Sequence, residues 1–232
     1  ENYVIINGSR YKLSGQSLVN QLTIASEKGL GVIDAKFQCK SPVDVFGFSM
    51  ESDSGVFVDN FSFRGNSGMP LTKIPQKVLS GLNNYLDYDL VVLQYGVNVV
   101  NHNVKDYTFY ETGMKAVVDH FKSCFPNASV LIVGAGDKGL RQNGVYSTDP
   151  AVPLVVDAQK KVAEKTNSAF WNLYESMGGN NSMVSWVQGD TVYANKDYTH
   201  FNFRGANKVA TMLYRHLTQK YDEYNKKKVK LG

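Results

Sequence analysis

The chain has 232 residues and a mass of 25.8 kDa, enough for one large domain, or one domain with part of another, around a substantial apolar core. With 43% hydrophobic residues, 20% charged residues and six scattered prolines, the composition excludes wholesale disorder and collagen-like repeats, and no apolar run reaches the roughly 18 residues that span a bilayer. The formal charge of +4 comes partly from Lys226, Lys227, Lys228 and Lys230, a terminal run that reads as a solvated end and not as a nucleic-acid site.

The opening third is rich in short β-type runs: Tyr3 to Ile6, Gly31 to Phe37, Val43 to Met50 and Val56 to Phe63, with Ser52-Asp53-Ser54-Gly55 as a turn between the last two. From about residue 70 the pattern changes. Continuous apolar runs suited to strands buried on both faces occur at Leu90 to Tyr95, Val130 to Gly134 and Ala169 to Leu173. Between them, Tyr107 to Phe125 and Val152 to Lys165 have the amphipathic spacing of crossover helices, and Ala206 to Tyr221 reads as a last helix over the sheet. The second part is therefore an α/β layer fold with a parallel sheet. Such folds carry their chemistry in loops at the carboxyl ends of strands.

Two cysteines, Cys39 and Cys124, lack a partner at zinc-site spacing and leave room for one disulfide. Asn-x-Ser triplets start at Asn7, Asn60, Asn127 and Asn180, and they bear on function only in a eukaryotic secretory pathway.

Three loop positions carry residues suited to acyl transfer. After the first buried strand, Gly96-Val97-Asn98 supplies a tight turn and an amide that suits an oxyanion donor. The segment Arg64-Gly65-Asn66-Ser67-Gly68 places glycines where backbone N–H groups can approach developing negative charge; Gly68 is the candidate donor, with Gly65 as an alternative register. Near the end, Asp197-Tyr198-Thr199-His200 puts an aspartate three residues before a histidine, close enough to fix its tautomer and make His200 a general base. Taken singly, each reads as an ordinary turn or cap. Their order and spacing along successive βα units give them weight together.

In this order the blocks resemble those of the SGNH or GDSL-type hydrolases, from about Val56 to Tyr221. Gly68 matches the second-block glycine, Asn98 the third-block asparagine, and Asp197 with His200 the fifth-block Asp-x-x-His pair. The resemblance implies a flavodoxin-like three-layer sandwich, an esterase activity of the kind that removes acetyl groups from carbohydrates, and no metal or organic cofactor. Val99 stands where the family often has an acidic residue.

The family's nucleophilic serine follows a central strand in a Gly-Asp-Ser-Leu-like segment, and no Gly-Asp-Ser occurs in this chain. Two look-alikes are Ser17 in Gly15-Gln16-Ser17-Leu18 and Ser9 after the strand-like Tyr3 to Ile6. The alternatives are a pseudoenzyme that lost its nucleophile and binds carbohydrate in the same groove, with Trp171, Trp186, Tyr193 and Tyr198 as aromatic candidates, or a serine contributed by an upstream segment. The last is favoured, because β-rich modules inserted between the serine and glycine blocks occur in the family, and residues 1 to 58 look like the end of one. The expectation is a hydrolase domain over 59 to 232 acting on an acylated polysaccharide or peptidoglycan, outside the cytoplasm. His102 reads as a solvated loop residue, His120 and His216 as helix-surface or capping groups, and Asp137 as a cleft-lining group without a catalytic role.

Overall fold

A computed structural model describes residues 1–13, 15–25, 31–63 and 65–231; Arg64 of the glycine loop and Ser14 lie outside the described residues. The chain divides into two compact units, residues 1–64 with 77–86, and residues 65–76 with 87–232.

The first unit contains an antiparallel sheet of β1 (Tyr3–Ile6), β2 (Ser9–Lys12) and β3 (Ala35–Gln38), in the order β2-β1-β3. Asn7 and Gly8 join the first two with φ of 48° and 87°, the left-handed pair that a two-residue hairpin of matching twist needs. The Asn2 side chain accepts from the N–H groups of Lys40 and Ser41, which ties the exit of β3 to the start of β1. A helix, α1 (Gln76–Leu86), carries the buried Leu79; at Gly81 an added Cβ would lie 2.8 Å from Val19, so glycine lets that segment pack close.

Two expected strands do not form. Val43 to Met50 and Val56 to Phe63 belong to no strand among the described residues, and their apolar side chains are exposed, Val56 at 93% and Phe48 at 69%. Alternation gives these segments a strand's pattern, but a strand needs a ladder and a face to bury, and these segments take part in no ladder among the described residues. The run from Gly31 shortens to β3 for the same reason. Cys39 is exposed, Cys124 is buried, and both are free cysteines.

In the second unit Gly68 of the glycine loop caps a 3-10 turn, Met69–Lys73, and the parallel sheet follows later in the chain. This sheet consists of β4 (Leu90–Gln94), β5 (Ser129–Val133) and, after the antiparallel hairpin β6 (Gly139–Gln142) and β7 (Val145–Thr148), β8 (Ala169–Trp171). Its order is β4-β5-β8. Crossover helices α2 (Thr108–Cys124) and α3 (Val152–Thr166) have the predicted positions. After β8 come α4 (Leu173–Met177), α5 (Ser182–Gln188) and α6 (Phe203–Leu231), the last longer than its sequence pattern suggested. No helix among the described residues is long and apolar enough to cross a membrane.

The layers follow from side-chain alternation in β5. Val130 and Ile132 enter a core with Tyr110, Met114, Val117 and Val118 of α2 and Val152, Val155 and Val162 of α3. Leu131 and Val133 point the other way, into a core with Trp171, Met177, Met183, Trp186 and Val209 from β8, α4, α5 and α6. A strand sandwiched in this manner reads as a continuous apolar run, which is why it was visible in the sequence. The unit is a helix–sheet–helix sandwich with a parallel sheet.

Gln159, on α3 and 1% exposed, sets the level of the strand ends. Its Nε2 donates to the Tyr95 carbonyl just past β4 at 2.9 Å, and its Oε1 accepts from the Ala135 N–H just past β5 at 2.8 Å. Replacing Gln159 with Leu leaves both backbone groups without partners and is expected to cost about 2–4 kcal/mol. Urea denaturation checks this; a loss below about 0.5 kcal/mol would show that the link is dispensable.

Candidate active site

The first candidate loop leaves β4 through Gly96, whose φ of 116° only glycine adopts freely and whose Cβ position lies 2.9 Å from the Gln159 Nε2. The Val99 N–H donates to the Gly96 carbonyl and closes a four-residue turn, and Asn98 stands exposed on it. One hydrogen of the Asn98 amide goes to the Asn66 carbonyl at 3.1 Å. The second has no protein partner among the described residues, which leaves a donor of fixed direction for a ligand.

Asn66 also holds Gly68. Its Oδ1 accepts the Gly68 N–H at 2.8 Å, so one side chain and its own carbonyl engage both expected oxyanion donors and bring them together. Asn66 was not singled out in the sequence, although an asparagine two residues before a glycine is the signature of an Asx turn. Gly68 itself is buried, has φ 92°, and would place a Cβ 2.8 Å from the Met114 sulfur and 2.9 Å from the Tyr95 ring. At Gly65 nothing lies within 4 Å of the corresponding point. The close approach of backbone to core is thus made at Gly68.

On the other rim, Asp197 and His200 form the expected pair. The His200 Nδ1 lies 2.9 Å from Asp197 Oδ2, while Asp197 Oδ1 accepts from the N–H groups of both Thr199 and His200. Burial pushes the Asp197 carboxyl up, but the hydrogen bonds from the His200 N–H, the His200 ring and the Thr199 N–H outweigh it and hold the group below the ordinary aspartate range. An ionised Asp197 can only accept, so Nδ1 carries the proton and Nε2 is left as the basic nitrogen.

The loop after β5 joins the two rims. Lys138 Nζ donates to the Val100 carbonyl at 3.2 Å, two residues past Asn98, and the next N–H, of Gly139, donates to the Tyr198 carbonyl at 2.7 Å, two residues before His200. Both candidate loops therefore flank consecutive residues at the carboxyl end of the sheet. Tyr198 has φ 55°, a left-handed conformation that a bulky residue holds only when its surroundings over-determine it. Here they do: its ring stacks on Tyr146 at 3.6 Å between centroids, and its hydroxyl accepts from Gln188.

Asp137 is a structural hub. It is buried and accepts from Thr148, Ser182, Met183 and Lys138, joining the hairpin to α5; burial pushes its carboxyl up, against the pull of those donors. Trp171, Trp186 and Tyr198 are core residues, so they make no exposed aromatic platform. His120 is half-buried with Nε2 at 2.9 Å from the Ile74 carbonyl, His102 offers its own carbonyl to Lys105, and His216 lies on α6. Neither serine look-alike follows a strand of the parallel sheet: Ser9 opens β2 of the antiparallel hairpin, and Ser17 is an exposed bend residue whose carbonyl accepts from Asn20.

No protein-family model and no curated protein matches the chain. Among solved structures it is similar to one described as a peptidoglycan O-acetylesterase, at 27% identity and a TM-score of 0.59 over 68% of this chain and 45% of that one. The chain thus spans less than half the length of that relative. It is also similar to an acetyl xylan esterase (20% identity, TM-score 0.46, 66% of this chain and 76% of that one) and to a carbohydrate esterase family 3 protein from Talaromyces cellulolyticus (15%, 0.48, 68% and 70%). The resemblance to the SGNH hydrolases holds in three dimensions, and the fold is theirs.

Two outcomes are expected. Gly68→Ala meets both a positive φ and a contact under 3 Å, and should cost about 2–4 kcal/mol in urea denaturation. Gly65→Ala meets only the positive φ and should cost about 1 kcal/mol; equal costs would contradict the assignment of the close approach to Gly68. Because Asp197 sits below its ordinary value of 3.8, its ionisation stabilises the fold above that pH, and the contribution disappears as pH falls through the lower folded-state value. The stability difference between the parent and Asp197→Asn should therefore shrink on acidification below about pH 4. A difference that stays constant from pH 6 to pH 2.5 would contradict it.

Proposed function

We propose that the second unit is the catalytic unit of an ester hydrolase that removes acetyl or similar small acyl groups from a polysaccharide or peptidoglycan. The observation that carries this reading is the hydrogen-bonded Asp197–His200 pair on one rim, linked through Lys138 and Gly139 to the loop that bears Asn98. A serine from a segment outside residues 1 to 232 attacks the ester carbonyl and gives its proton to His200 Nε2. The carbonyl electrons move onto oxygen, where the free Asn98 N–H and the Gly68 N–H receive the charge, the latter by leaving Asn66 Oδ1. Protonated His200 then returns its proton to the departing sugar oxygen as the carbon–oxygen bond breaks, and water repeats the sequence on the acyl-serine. Asp197 keeps the imidazole in the reactive tautomer throughout.

Support for the acyl group and the sugar comes from the relatives, described as acting on peptidoglycan and xylan. Such a substrate places the protein outside the cytoplasm. In this reading residues 1 to 58 belong to an accessory module.

The test is hydrolysis of p-nitrophenyl acetate and of O-acetylated peptidoglycan by the full-length gene product and its variants. His200→Ala should lower kcat by about 10³-fold or more, and Asn98→Ala by about 10²–10³-fold, with KM little changed. Rates equal to the parent in both variants would overturn the proposal.

A further inference from the structure

The loop that joins the two rims carries a cation without a counter-ion. Lys138 is half-buried, and its side chain turns inward to give one Nζ hydrogen to the carbonyl of the buried Val100 at 3.2 Å. A lysine that serves only as surface charge keeps its ammonium in water; this one gives up side-chain freedom to hold it in one place. That place is beside the candidate site. Val100 is two residues past Asn98, at most about 7 Å of chain, and the N–H of Gly139, next to Lys138, binds the Tyr198 carbonyl two residues before His200. The bond to Val100 neutralises no charge, and among the described residues no carboxylate pairs with Nζ. The neighbouring acids are committed elsewhere: Asp137 accepts from Thr148, Ser182 and Met183, Asp149 from the Ala151 N–H, and Asp197 holds His200. Arg141 of β6 repeats the pattern. Its guanidinium lies 5.8 Å from the centre of the Tyr146 ring, which stacks on Tyr198, and among the described residues it too has no carboxylate partner.

A half-buried ammonium that is fixed by a backbone carbonyl, with two further hydrogens to donate and no counter-ion, is complementary to an anion that arrives with the ligand. We infer that Lys138 binds a carboxylate of the polymer that carries the ester, with Arg141 as a second cation along the same hairpin, so that the site selects acidic acylated polysaccharides over neutral ones. This deepens the esterase reading and rests on it for the reaction. Lys138 acts on specificity and takes no part in the proton transfers of His200. The stem peptides of peptidoglycan and the uronic acids of other polysaccharides both supply the carboxylate. The competing role for Lys138 is a strut that only pins the loop at Val100. A strut acts on acidic and neutral substrates alike, whereas an anchor separates them.

The experiment uses the full-length gene product and two acidic polymers, O-acetylated peptidoglycan and an acetylated polyuronate, each compared with itself after its carboxyls have been converted to methylamides. Hydrolysis and co-sedimentation are measured on both forms, with p-nitrophenyl acetate as the uncharged reference ester. For at least one polymer the untreated form should exceed the amidated form about tenfold in kcat/KM and in binding; which polymer does so identifies the source of the carboxylate. The ratio should fall toward 1 in Lys138→Gln and in about 0.5 M salt, and Lys138→Arg should retain most of it. Carboxylate-dependent binding that Lys138→Gln abolishes, without hydrolysis of any ester, upholds the anchor and overturns the esterase reading. Hydrolysis of p-nitrophenyl acetate with a ratio that Lys138→Gln leaves intact overturns the anchor and leaves the esterase reading standing. A ratio near 1 for both polymers in the parent protein overturns the anchor without recourse to any variant.

Discussion

The second unit depends on strands that end at one level. The β4–β5 ladder places Gln94 beside Val133, and Gln159 then fastens backbone groups just past the two strands, the Tyr95 carbonyl and the Ala135 N–H, to the same side chain. A buried amide can do this only when both of its ends are satisfied, so its position is fixed by two directional bonds and by the α3 core around it. The loops that leave this level inherit the precision. Gly96 can turn sharply because the backbone there is held against Gln159, and Asn98 follows within the turn.

The opposite rim uses short-range geometry. Asp197 collects three hydrogen bonds within three residues of itself, which needs a tight turn, and the left-handed Tyr198 makes that turn. The cost of that conformation is offset by stacking on Tyr146 of the β6–β7 hairpin and by the Gly139 N–H. The hairpin is thus a brace for the loop that bears His200. Asp137 secures the brace in turn through Thr148 and α5.

Much of this was legible in the sequence where the signal is local. The β5 run, the crossover helices and the Asp-x-x-His spacing are set by nearest neighbours and periodicity, and they stand where expected. The hairpin also had its signal, Asn143-Gly144 with φ of 49° and 85°, but its strands are too short and polar to show alternation. Gln159 and Asn66 carry no sequence mark of their roles, because a buried amide that bridges two strand ends is specified only in three dimensions. The strands expected at Val43 to Met50 and Val56 to Phe63 failed for the opposite reason: alternation proposes a strand, and only a partner makes one. Their apolar side chains are exposed because, among the described residues, they join no ladder.

The proposed esterase reading therefore stands on a nucleophile from outside residues 1 to 232 that would meet His200 as the candidate base and Asn98 with Gly68 as the candidate oxyanion donors. The most direct measurement is to label the full-length gene product with a fluorophosphonate and locate the modified serine by mass spectrometry. One modified serine outside residues 1 to 232, with labelling lost in His200→Ala, is the expected result. A label on any serine within residues 1 to 232, or labelling indifferent to His200, would contradict the account.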